Sequence, residues 1–337
     1  MRASLLLPGL TAIVLFACST APHASGTSTS SGGGTATSTG SGGATATSTG
    51  SGGDDAGGPG GAAPDGGDAG ATDAGTSLAR CTPSATKPCR GMWVWATPDN
   101  QTLVDFATAH GVEELFYSVS PAITGAELAR VQDLRTRAHA AGIVLDALGG
   151  DSTWATTNTA DALAWESDAI ATGLFDGIHL DIEPAQLPDW STNTAADALS
   201  FFSAMKQIRA NDTHVHLELD CQFSYGTIAV TGYPSLADAV DTTVDEITIM
   251  SYRNTDTGAN GMFGIAEDEL TRGQKAGIAV RLGAETNDVA PAEITFYGMT
   301  GTAMAAVLAQ TDTSAATYAA YRGIAVEDYT GWSAIGP

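Results

Sequence analysis

Basic residues are scarce in this chain. Its 337 residues hold 14 lysines and arginines against 38 aspartates and glutamates, a formal charge of −24. A surface so acidic repels phosphate backbones, which argues against a nucleic-acid partner. Chemical signatures are missing as well. No G-x-S-x-G elbow is present, so a nucleophilic serine hydrolase is disfavoured. No H-E-x-x-H pair and no Walker-type glycine loop occur, which speaks against a zincin and against phosphate chemistry. Aromatic residues make up only 7% of the chain, yet the hydrophobic share is 43%, and glycine is concentrated early. The chain is therefore two materials joined end to end.

The first material opens with Met1-Arg2 and an apolar run, Leu5 to Ala17, that is too short to cross a bilayer and suits a signal peptide. The run ends Leu15-Phe16-Ala17-Cys18, which resembles the bacterial lipobox. That resemblance implies cleavage before Cys18, lipidation of its thiol, a membrane contact through the lipid and an extracytoplasmic location. Residues 19–80 are almost wholly Gly, Ser, Thr, Ala and Asp, with the nonamer Thr-Ala-Thr-Ser-Thr-Gly-Ser-Gly-Gly at Thr35 and again at Thr45. Such a segment cannot bury enough apolar surface to offset its ordering entropy, and reads as a disordered tether. At roughly 5–6 Å × √n it would hold a domain about 40–45 Å from its anchor.

The second material, residues 81–337, has the size of one (β/α)8 TIM barrel. Cys81 and Cys89 close a short loop before the first strand, and a disulfide is expected there. Cys221 is left over as a buried thiol on a helix-facing parity. Eight strand patterns follow one another: Met92 to Ala96, Glu114 to Ser120, Ile143 to Leu148, Phe175 to Glu183, Val215 to Phe223, Glu246 to Tyr252, Ile278 to Glu285 and Gly323 to Tyr329. Helical stretches lie between them, which predicts an α/β fold with a parallel sheet and right-handed crossovers. Glu293 to Met299 reads as an extra short strand, and the eighth helix is expected to be short or absent.

Parity within the strands carries the functional signal. In the fourth strand Ile178, Leu180 and Ile182 alternate with His179, Asp181 and Glu183; in the fifth Val215, Leu217, Leu219 and Cys221 alternate with His216, Glu218, Asp220 and Gln222. The apolar parity of a barrel faces its helices, which sends the ionisable parity into the lumen. The same rule turns Arg281, Glu285, Glu327 and Tyr329 inward. Charges there need pairing or a ligand, and at the C-terminal ends of barrel strands the ligand is usually substrate. A structural ion-pair network around Arg281 and Arg253 is the alternative, with Glu285 as a partner for Arg281.

These residues resemble a known family. Asp176-Gly177-Ile178-His179-Leu180-Asp181-Ile182-Glu183 resembles the strand-four signature of glycoside hydrolase family 18, D-G-x-D-x-D-x-E, with His179 in place of the first aspartate of its D-x-D-x-E portion. Ala147-Leu148-Gly149-Gly150 resembles the strand-three S-x-G-G, and Met250-Ser251-Tyr252-Arg253 the strand-six M-x-Y-D, with Arg253 for the aspartate. Glu327 stands in the region where the family places a tryptophan floor, leaving Trp95, Trp154 or Trp332 to stack on sugar. The resemblance implies a glycosidase acting on an N-acetylhexosamine-containing glycan. Glu183 would be the general acid, Asp181 would orient the substrate's own acetamido group, and Tyr252 would hydrogen-bond it. His179, Trp95, Glu218, Asp220, Arg253, Glu285, Glu327 and Trp332 would line the substrate site.

Three other readings stay open in the sequence. Glu183 and Glu285 end strands four and seven and suit a two-carboxylate glycosidase. His179, Asp181, His216 and Glu218 could converge on a cation. A barrel that binds glycan without cleaving it is the third. No metal or cofactor is expected, and the chain is expected to be a monomer.

Overall fold

The alternating strands bury both of their parities, the apolar one against the helices and the ionisable one inside a closed barrel. The computed structural model describes residues 78–83 and 88–336; the leader, Cys18 and the tether repeats lie outside the described residues. The strands are β1 Arg90–Val94, β2 Glu114–Ser118, β3 Val144–Gly149, β4 Gly177–Leu180, β5 His216–Cys221, β6 Glu246–Ile249, β7 Ala279–Glu285 and β8 Tyr321–Glu327. Each pairs in parallel with its neighbours in sequence, and β8 pairs back with β1 to close the barrel. The helices are α1 Asn100–Ala109, α2 Gly125–Ala140, α3 Thr159–Ala171, α4 Trp190–Asn211, α5 Leu236–Val240, α6 Met262–Ala276, α7 Gly301–Ala315 and α8 Tyr329–Ala334. The expected TIM barrel is therefore formed, with an eighth helix of only six residues.

Outward parity builds the main core. Ile178, Leu180, Leu217, Leu219, Cys221, Val280, Leu282, Ile324 and Val326 are buried in one cluster with helix residues such as Phe201, Met205 and Leu270. Cys221 is the free buried thiol expected, and Cys81 is disulfide-bonded to Cys89. Glycine allows two close approaches that matter below. A Cβ on Gly149 would sit 2.4 Å from the Trp165 ring, and one on Gly150 would sit 1.9 Å from the carbonyl oxygen of Asp181. Gly149, the last residue of β3, thus admits the Trp165 ring, and Gly150 lets the end of β4 lie against it.

Inside the barrel, the N-terminal half is ionic. Arg281 Nη2 lies 2.6 Å from Glu114 and 2.9 Å from Glu246, and its Nε lies 3.4 Å from Glu218. Arg80 donates to both oxygens of Asp146, at 2.8 and 2.7 Å, and pairs with Glu114. Arg80, the last residue of the tether by composition, therefore belongs to the barrel. Glu285 is not a partner of Arg281, which is occupied by these three other carboxylates. Above the ions, Trp93, Phe116, Leu148 and Ala325 form a small apolar layer, with Trp95 packed on it.

Three expectations are corrected. Glu293 to Met299 is not a strand: Ala292–Ile294 is a 3₁₀ turn, and Thr295 makes a lone bridge to Glu285. The Thr295 hydroxyl donates to the Asn287 carbonyl at 2.7 Å, closing a loop rather than a ladder. Tyr329 does not face the lumen, because β8 ends at Glu327 and Asp328 caps α8; its ring packs 5.3 Å from Phe106. Trp332 follows it into the helix layer, 5.6 Å from Phe106 and 5.0 Å from His110, and is a packing residue of the barrel's exterior.

Removing one member of a buried ionic network leaves the others uncompensated, at a cost of about 3–5 kcal/mol. Arg281→Met leaves Glu114, Glu218 and Glu246 facing one another, and a loss of stability of that order is expected in urea denaturation. Wild-type stability in this variant would contradict the assigned network.

Candidate active site

The end of β4 sets the site. Past Leu180 the chain stays extended because the Asp181 N–H donates to the Gly149 carbonyl at 3.0 Å. Glu183 follows with the same parity, and Pro184 opens a 3₁₀ turn, Pro184–Gln186. That turn swings Gln186 back so that its amide donates to Glu183 Oε1, while the Gln222 amide reaches Oε2 at 3.4 Å from the end of β5. Glu183 is buried at the C-terminal mouth of the barrel. Burial raises its pKa to about 7; the Gln222 amide opposes the rise, nearby Asp220 adds to it, and Gln186 again opposes it. A carboxylic acid that retains its proton near neutrality is suited to donate it.

Asp181 lies beside it. Burial first, then the charges of Glu183 and Asp220, hold its pKa well above the usual carboxylate range, with His179 pulling the other way. Across the mouth, Glu285 and Glu327 are register partners on β7 and β8. Glu327 accepts from the Trp95 indole N–H at 2.8 Å, and burial plus the charges of Glu285, Asp181, Asp328 and Asp220 raise its pKa. Burial also raises that of Glu285, whose Oε1 accepts from the backbone N–H of Thr286 and Asn287, both at 2.7 Å, and from the Asn287 side chain at 3.0 Å. One oxygen of Glu285 is thus committed to its own turn, which suits a fixed wall residue better than a nucleophile.

Tyr252 is buried and follows β6 into the lumen. Its ring crosses Gly283, where a Cβ would come within 2.9 Å of it. Met250 and Ile294 pack with it. Arg253 sits on the rim, half-buried over Phe223, with Nη1 donating to the Tyr252 carbonyl at 2.7 Å and Nη2 to Asn260 at 3.1 Å. The structure thus brings Glu183, Asp181, Asp220, Glu285, Glu327 and Trp95 to one mouth and places Tyr252 and Arg253 at the adjacent strand end.

Other expected substrate contacts are corrected. His179 and Glu218 have no exposed surface. Glu218 lies in the ionic layer, accepts from the Thr248 hydroxyl and pairs with Arg281; burial pushes its pKa up, but Arg281 and His179 outweigh that and hold it low. His179 is covered by Phe116. Trp154 lies in the helix layer, 5.6 Å from Trp165, so of the three tryptophans considered for stacking only Trp95 is at the mouth. The four groups considered for a cation do not form one set: His216 and Glu218 gather with Glu246, and His179 and Asp181 stand outside that cluster. Among the described residues His216, Glu218 and Glu246 have ligand atoms within 4.8 Å of one another, as do Glu114, Asp146 and Glu218. Guanidinium groups of Arg80, Arg281 and Arg322 already neutralise these carboxylates, so the donor set does not fit a metal ion.

Sequence reasoning missed Trp93, whose indole N–H donates to Asp220 Oδ2 at 3.0 Å, and Gln186. Both were findable. Trp93 shares the inward parity of Trp95 in a Trp-Val-Trp run, and Gln186 stands three residues after Glu183 behind a turn-opening proline.

The sequence matches no protein family and no curated protein. The fold is similar to several solved structures at low identity. A chitinase from Chromobacterium violaceum is 15% identical over 59% of this chain and 68% of that chain, with a TM-score of 0.40. The spore cortex-lytic enzyme SleL of Bacillus cereus is 10% identical over 74% of this chain and 73% of that one, with a TM-score of 0.48. A chitinase from Bacteroides thetaiotaomicron is 11% identical over 72% of this chain and 90% of that one, also with a TM-score of 0.48.

Proposed function

We propose that this chain is a glycoside hydrolase that cleaves an N-acetylhexosamine-containing glycan outside the cytoplasm, with Glu183 as its general acid. The observation that carries the reading is the Glu183 carboxyl itself: buried at the mouth of the barrel, held by two amides, and raised to about 7 beside a second inward carboxyl at Asp181. Glu183 gives its proton to the glycosidic oxygen as the bond to the anomeric carbon breaks. The substrate's acetamido oxygen attacks that carbon, so no protein nucleophile is required. Asp181 orients the acetamido N–H and stabilises the positive charge that develops, and Tyr252 donates its hydroxyl to the acetamido group. Water then opens the intermediate, with Glu183 now acting as base. Trp95 offers an apolar ring for the sugar face, its orientation fixed by the bond to Glu327.

Glu183→Gln keeps the shape and one amide donor but removes the acid. Turnover measured as reducing-end release on a glycan panel should fall about 10²–10⁴-fold, with glycan binding retained. Undiminished turnover would reject the assignment, and binding by the wild type without release at any pH would show a lectin-like barrel.

The pH profile follows from the same group. Because the proton must be present on Glu183, kcat/KM should fall as pH rises through about 7. A basic limb above 9 would point to another acid.

For the anchor, we propose lipidation of Cys18. Metabolic labelling with a fatty acid should mark the wild type and not Cys18→Ala; no label on the wild type would show plain secretion, and equal labelling of both would put the lipid on another residue.

A further inference from the structure

The strand-four segment carries a cation where the motif it resembles carries an acid. The His179 ring stacks on Phe116 with centroids 3.8 Å apart and planes at 26°, and meets the edge of Trp93 at 5.7 Å. Its Nε2 lies 3.0 Å from Asp220 Oδ2 and its Nδ1 3.5 Å from Glu218 Oε2. Burial alone would lower its pKa, but Asp220 and Glu218 on either side of the ring outweigh it and push it up to about 10. An imidazolium has two donors and no acceptor, so position 179 cannot take a proton from its neighbours.

The adjacent strand supplies an acceptor. Leu180 pairs with Leu219, so the next residues, Asp181 and Asp220, stand side by side with the same inward parity on strands about 4.8 Å apart. Asp220 is only 2% exposed. Its Oδ2 is taken by the Trp93 indole and faces His179, whereas its Oδ1 is buried with no hydrogen-bond partner. A buried carboxylate oxygen without a donor is costly unless a donor is brought to it. Asp181, next to it across the strand pair, is a group placed to bring one. The charged or titratable groups around Asp220 are His179, Asp181 and Glu183 from the β4 segment, Glu218 and Cys221 on its own strand, Tyr225 from the turn after β5 and Glu327 from β8.

Building on the glycosidase reading above, we propose that Asp220, clamped by His179 and Trp93, is a positioning residue that replaces the missing strand-four aspartate: its Oδ1 accepts the carboxyl proton of Asp181. In the resting site the pair shares one proton and carries one negative charge. When Asp181 acts as an anion beside the acetamido nitrogen, that proton passes to Asp220 Oδ1, Asp220 becomes the neutral acid, and the charge of the pair is unchanged. His179 keeps its own proton throughout and offsets the remaining charge.

The test uses Asp220→Asn and the double variant His179→Asp with Asp220→Asn, which returns a carboxylate to β4. Asp220→Asn should lower kcat with KM little changed, and the double variant should regain about tenfold of that loss. Carbon-13 titration of the Asp181 carboxyl, read without substrate, should move down by about one unit in Asp220→Asn, because a neighbouring negative charge and the acceptor of the neutral form are both gone. An unmoved Asp181 titration overturns the proposal whatever the activity, and so does a folded, active double variant no faster than Asp220→Asn. A wild type that releases no sugar from any glycan defeats the glycosidase reading, and the titration alone then decides the Asp181–Asp220 pair.

Discussion

One guanidinium makes the rest of this barrel possible. Arg281 stands in the lumen against Glu114, Glu218 and Glu246, and it is the cation that the inward carboxylates of three strands share in a medium that solvates charge poorly. Barrels that only pack fill this space with branched apolar side chains. Here the ions fill it, and Arg80 adds a second guanidinium from outside the strands. Fixing the ionic layer fixes which residues stand above it: the Trp93 and Phe116 rings, then His179, then the carboxylates of the mouth.

The layers differ in their balance of charge, and that difference is where chemistry becomes possible. Below the aromatic rings each carboxylate has a cation against it. Above them Asp181, Glu183, Asp220, Glu285 and Glu327 crowd together, and His179 is the cation that touches the group, through Asp220. Burial raises the pKa of every one of these five carboxyls, and repulsion from others of the group adds to it at Asp181, Glu183 and Glu327. A mouth of this kind holds protons near neutrality. On the proposed reading that proton is the one a glycosidic oxygen takes, and the amides of Gln186 and Gln222 aim the carboxyl that carries it.

Much of this was legible in the sequence, and for a stated reason. Strand parity has a period of two and survives any uncertainty in strand ends, so the inward set His179, Asp181, Glu183, Glu218, Asp220, Arg281, Glu285 and Glu327 could be named before any coordinates. Depth along the strand was not legible. Glu218 and Asp220 have the same parity, yet two residues separate a member of the ionic layer from a member of the mouth. Trp332 failed for a different reason: its position depends on how a six-residue helix turns after β8, a tertiary matter that no alternation encodes. Arg80 was hidden because it follows a low-complexity tether and carries no strand pattern of its own.

The ionisable parity of β4 looks into the mouth of a closed barrel, and on the proposed reading a sugar binds there. The most direct measurement is a crystal structure with an N-acetylglucosamine oligomer bound. An acetamido group should lodge between Asp181 and Tyr252, with the glycosidic oxygen within hydrogen-bonding distance of Glu183 and a sugar face on Trp95. A glycan seated only on the outer helices, with the mouth empty, would contradict it.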